Sequence, residues 1–218
     1  MSGFRSHALY LVAGFLIALP LAALVAIVFW PEPAKVVPVQ DATRAPDWLK
    51  ELTRVDKKLW RPWSEIVVHH SAGELGGLEL IDRYHRTKRK WDSAGYDFII
   101  GNGSFTGDGE IEVSSRWEAQ ADGAHCLHHN DVAIGICLVG NFDVRDEKPS
   151  PFQMLSLEQL VAYLCVRYNI PPDHVYLHHD VAGAQTRCPG QNFPLKNFLN
   201  VVEILKREYQ PLARADKS

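Results

Sequence analysis

The sequence predicts an α/β domain with a mixed central β-sheet flanked by α-helices, preceded by one N-terminal transmembrane helix. Three observations carry this prediction. Residues 8–30 form an apolar run without a single charged side chain. Beyond them, short β-branched runs alternate in part with helical apolar stripes, the pattern of strands and helices that share one sheet. The composition is globular: six Trp, seven Tyr and nine Phe at 22% charged residues exclude a disordered chain. The formal net charge of −3 offers no basic surface to phosphates, so no nucleic-acid partner is expected. Four cysteines in 218 residues exclude a disulfide-built scaffold.

Taken in order, residues 1–7 read as a short cytoplasmic N-terminus. At about 1.5 Å per residue, a helix over 8–30 spans the roughly 30 Å hydrocarbon core. Tyr10 and Trp30 lie near its ends, where aromatic belts form. A secretory signal peptide is the rival reading, but its apolar region usually runs only about 7–15 residues. Arg5 ahead of the span points to a chain held in the membrane by a single pass, its bulk on the extracytoplasmic side. Residues 31–46 are Pro-rich and aperiodic, a linker. The folded domain is expected over 47–209, followed by a tail over 210–218.

Within the domain, 65–70 (EIVVHH) reads as a buried strand and 78–88 as a helix with a basic C-terminal turn. Residues 96–101 (YDFIIG) form a second strand, and 110–113 its hairpin return. The run 132–140 (VAIGICLVG) is the most apolar and belongs at the sheet centre. Residues 156–168 form the clearest helix, with Ser156 and Gln159 matching a capping box. A short strand at 175–178 and a last helix at 194–209 complete the pattern.

The chemistry concentrates in histidine. All of the ten histidines except His7 lie from His69 to His179. Two pairs, His69-His70 and His178-His179, close predicted strands, and Cys188 follows in a Cys-Pro-Gly turn. Two imidazoles and a thiolate suit zinc, which takes three protein ligands and leaves one position open at catalytic sites. Adjacent strand residues point to opposite faces, so one histidine of each pair at most can reach a shared metal.

Four motifs in order now resemble the zinc-dependent N-acetylmuramoyl-L-alanine amidases of the type-2 class, which share a fold with the peptidoglycan recognition proteins. They are VVHHSAG (67–73), YHR (84–86) with Trp91 and GYDFIIG (95–101), GAHCLHHND with IGICLVGNF (123–142), and HHDVAGAQTRCPG (178–190). The resemblance implies Zn²⁺ held by His69, His178 and Cys188, and catalytic roles for Tyr96 and Thr186, with Arg187 the neighbouring candidate for the latter role. It implies contacts to substrate from His125 and Asn130. The implied reaction is attack of a zinc-bound water on the amide between N-acetylmuramic acid and L-alanine, in peptidoglycan or its muropeptide fragments. The chain departs from the bacterial anhydro-muropeptide branch, which carries Asp as third ligand and a Glu where Cys137 stands. A monomer, tied to the membrane and facing the cell wall, is expected.

Overall fold

A computed structural model describes residues 45–215, residue 145 excepted. The expected span over 8–30, the segment before it and the linker up to residue 44 lie outside the described residues. Among the described residues no helix is long and apolar enough to cross a membrane.

Helix α1 (Ala45–Leu52) opens the described chain and begins inside the expected linker, because Leu49 is fully buried and Trp48 and Leu52 pack against the same core. Strand β1 (Glu65–His70) follows, then α2 (Leu78–Tyr84), which runs on as a π turn over His85–Arg89. The turn ends at Lys90, whose φ of 61° lies in the left-handed region. Next come β2 (Phe98–Ile100), β3 (Ile111–Val113), the short α3 (Ser115–Ala119) and β4 (Ala133–Leu138). Helix α4 (Pro151–Tyr168), β5 (Val175–Leu177) and α5 (Leu195–Ala215) complete the order.

The sheet has the order β3-β2-β4-β1-β5. Strand β1 pairs in parallel with β4 and β5, β2 is parallel to β4, and β3 returns antiparallel to β2. The sheet is therefore mixed, and β4 sits at its centre as its uninterrupted apolar run requires.

The two faces differ. Ile66, Val68, Phe98, Ile100, Ile134, Ile136 and Leu138 enter the main core with residues of α4 and α5. Each such side chain contributes about 1.5–3 kcal/mol on burial. On the opposite face Ile99 and Cys137 pack against Ile81 and Leu78 of α2. That smaller layer leaves the β1 and β5 side of the face for the site.

Helix α4 starts at Pro151, five residues before the expected Ser156. Its capping box is Ser150 with Gln153, and Pro151 occupies the first turn, where its missing N–H costs nothing. Ser156 is buried inside the helix and donates to the Gly109 carbonyl at 2.6 Å. Gln153 does more than cap. Its Nε2 donates to Val139 O at 2.8 Å and Ile100 O at 3.2 Å, tying α4 to the ends of β4 and β2.

Candidate metal centre

The strand period places the first two ligand candidates. His69 and His70 end β1 and are both buried. His70 turns to the core face, where its ring lies 5.8 Å from Phe142 and its Nδ1 accepts the Phe142 N–H at 3.1 Å. His69 turns to the opposite face. Strand β5 runs beside β1, and His178 begins the 3-10 turn that follows it. The His69 and His178 ring centroids are 4.5 Å apart.

The third candidate arrives on a loop that folds back on its own start. The His179 N–H donates to Cys188 O at 2.9 Å, and His179 Nδ1 meets the same oxygen at 2.9 Å. A carbonyl only accepts, so that Nδ1 carries a proton. Cys188 N–H donates to Thr186 Oγ1 at 3.1 Å, and the His70 N–H donates to Cys188 Sγ at 3.3 Å. The second histidine of each pair thus helps to hold the loop and its thiol.

One ligand atom from each of His69, His178 and Cys188 lies within 4.8 Å of the others. Their fit to zinc can be checked on one edge. Zn–S and Zn–N lengths of about 2.3 and 2.05 Å at a tetrahedral angle set S and N about 3.6 Å apart. Cys188 Sγ and His69 Nδ1 are 3.7 Å apart. Burial lowers the pKa of His69 well below the usual imidazole value, with the neighbouring His125 and His178 adding to the effect, and burial lowers His178 also. Both therefore stay neutral, as metal ligands must. Burial pushes the Cys188 thiol up to about 12, so it holds its proton until a metal takes its place.

Tyr96 lies just ahead of β2, its ring 5.1 Å from that of His69. Burial raises its phenol well above the ordinary value, with the neighbouring Cys137 and Cys188 thiols adding to the effect, and the ring packs against the small layer that contains Cys137. It remains a neutral donor at pH 7. His85 packs behind it, its ring 5.7 Å from Tyr96 and 4.6 Å from Trp91, with Nδ1 accepting the Gly95 N–H at 2.9 Å. The sequence alone marks Cys137 only as a small buried residue; its pairing opposite His69 in the β1–β4 register is what brings it to Tyr96.

Thr186 is exposed and Arg187 forms an ion pair with Asp143 at 3.0 Å. His125 is buried, with Nδ1 3.1 Å from His69 Nε2 and Nε2 3.3 Å from Ala133 O. Asn130 Oδ1 accepts the N–H groups of His125 and Cys126, each at 2.9 Å. Both residues expected at substrate are thus engaged in supporting structure around His69. His129 pairs with Glu65 at 2.6 Å, away from the ligand set.

The comparisons with known proteins cover this same region. A family model described as N-acetylmuramoyl-L-alanine amidase (Amidase_2) matches residues 59–191, from ahead of β1 to just past Cys188. The chain belongs to this amidase family. The amidase domain is 31% identical over 152 residues to an endolysin of Klebsiella phage KP32, covering 67% of this chain and 91% of the endolysin. It is 29% identical over 137 residues to peptidoglycan-recognition protein SC2 of Drosophila melanogaster, covering 59% of this chain and 69% of that protein. Among solved structures, the N-acetylmuramoyl-L-alanine amidase LysC from Clostridium intestinale URNW superimposes with a TM-score of 0.56 at 34% identity, over 65% of this chain and 87% of that one.

Proposed function

We propose that this amidase hydrolyses the amide between N-acetylmuramic acid and L-alanine in peptidoglycan or muropeptides, with Zn²⁺ held by His69, His178 and Cys188. The observation that carries the reading is the convergence of two neutral imidazoles and a thiol on the open sheet face, inside the segment matched to the family. When bound, zinc supplies Lewis-acid chemistry, activating water and polarising the scissile carbonyl.

The chain's own groups do the rest. His69 and His178 present neutral nitrogen, and the His70 N–H stabilises negative charge on Cys188 Sγ. Tyr96 keeps its proton and donates it in a hydrogen bond to oxygen that gains charge as the amide carbonyl becomes tetrahedral. Thr186 Oγ1 accepts from the Cys188 N–H, which leaves its own proton to donate to substrate at the rim. Residues 8–30 anchor the chain in the membrane, and the Pro-rich residues 31–44 let the domain reach the wall on the extracytoplasmic side.

The test is release of free L-alanine amino groups from purified peptidoglycan by the full-length chain, with and without chelator, beside His178→Ala. Release that requires both metal and His178 is the expected result. A folded protein that binds zinc in stoichiometric amount and releases nothing is a recognition module. One that binds no zinc refutes the metal centre.

A further inference from the structure

The His125 ring bonds directly to the ring of the ligand candidate His69, and its surroundings are built to hold it there. The ring lies over Gly135 of β4 and against Gly123. A Cβ at Gly135 would stand 2.4 Å from His125 Cδ2, and one at Gly123 would stand 2.5 Å from the same atom. The niche exists because two positions lack side chains. Asn130 fixes the backbone beneath it by accepting the N–H groups of His125 and Cys126.

The proton positions along this chain of groups follow from one fixed acceptor. Ala133 O can only accept, so the His125 nitrogen 3.3 Å away, Nε2, carries a proton. In the neutral ring Nδ1 is then a bare lone pair. His69 Nε2, 3.1 Å from it, must donate. The remaining nitrogen of His69, Nδ1, is left unprotonated, and it is the one that faces Cys188 Sγ at 3.7 Å.

We propose that His125 is a positioning residue: through the relay from Ala133 O to His125 to His69, it sets the His69 tautomer and aims Nδ1 at the metal. The inference rests on the zinc reading above. Its logic is that of the outer partners that orient metal-bound imidazoles elsewhere, where their loss typically costs about 10- to 100-fold in metal affinity or activity. It also separates His125 from substrate, since both ring nitrogens are committed inside the domain.

The experiment uses the full-length chain labelled with nitrogen-15 at its histidine rings. Long-range proton–nitrogen correlation reads the His69 tautomer in the zinc-free protein, with assignment by His69→Gln. Chelator competition reads the Zn²⁺ dissociation constant. The expected wild-type result is His69 protonated at Nε2. In His125→Phe, and independently in Gly135→Ala, which evicts the ring without changing it, His69 should become a tautomer mixture. Zinc binding should weaken about 10- to 100-fold in both. His125→Gln, which can still accept from Nε2–H, should recover part of the affinity. A wild-type His69 protonated at Nδ1 overturns the proposal without any variant. So do variants that lose thermal stability yet keep the tautomer and the zinc affinity, because that is what mere space-filling would give. A wild-type chain that binds no zinc brings down the metal centre itself, a different result from either of these.

Discussion

Replacing Gln153 with Met tests how the main helix is fastened to the sheet end. Methionine keeps the volume and removes every polar contact of the side chain. Three hydrogen bonds are lost. Nε2 no longer reaches Val139 O or Ile100 O, and Oε1 no longer accepts the Ser150 N–H at 3.1 Å. Ile100 O keeps a second donor, the Val139 N–H at 2.9 Å, so its loss is small. Val139 O is the costly one, since a buried acceptor stripped of its donor costs about 1–3 kcal/mol. Loss of the reciprocal half of the capping box adds about 1 kcal/mol. The sum is about 2–4 kcal/mol. For a domain of this size each kcal/mol moves Tm by about 2–4 °C, so Gln153→Met should melt about 5–15 °C lower. Thermal unfolding by circular dichroism measures it. A Tm within about 2 °C of wild type would refute the reasoning, since it would mean that the helix N-terminus and the strand ends do not depend on this amide.

Other outcomes follow from the site. Tyr96→Phe keeps the ring against His69 and removes one donor, so kcat should fall about 10²- to 10³-fold with zinc content unchanged; loss of zinc would instead make Tyr96 part of the metal's support. Zinc uptake at pH 7 should release close to one proton, from Cys188, and little from the already neutral imidazoles. Apparent zinc affinity should therefore fall about tenfold for each unit of acidification, without steepening just below the ordinary imidazole pKa of about 6.5; calorimetry in buffers of different ionisation enthalpy reads the count. Cys188→Ser should abolish stoichiometric zinc binding, measured by metal analysis of the purified chain. Removal of residues 1–30 should shift the protein from the membrane to the soluble fraction, and a chain that stays with the membrane would refute the anchor.

Much of this architecture was legible in the residues because strands and alternation leave strong marks. The run EIVVHH coincides with β1, and the apolar stretch ahead of Gly140 is the central strand. Alternation alone says that His69 and His70 cannot both face one site, and the fold divides them in that way. Where reading failed, two signals competed. Ser156 and Gln159 have the same spacing as Ser150 and Gln153, and Pro151 in the first turn was the cue that separates them. Strand β2 begins at Phe98 rather than Tyr96, and the Asp97 carboxylate ahead of it accepts the Gly135 N–H at 2.7 Å. The 175–178 strand stops at Leu177 and His178 turns away in a 3-10 turn. The neighbours of His69 were the least legible part. The contact to His125 spans 56 positions in sequence and depends on a missing side chain at Gly135, which no local pattern reveals.

The division of labour along β1 also governs which changes of chain length the protein can tolerate. One extra residue among 65–68 would exchange the faces of everything beyond it, turning His69 into the apolar core and His70 out to the open side. Pairing with β4 on one edge and β5 on the other resists any compensating slide. The same insertion beside exposed Phe105, in the turn between β2 and β3, changes no ligand. Length variation in this amidase is therefore confined to the turns, and the short stretch from Glu65 to His70 behaves as a fixed ruler from which the reactive end of the molecule is measured.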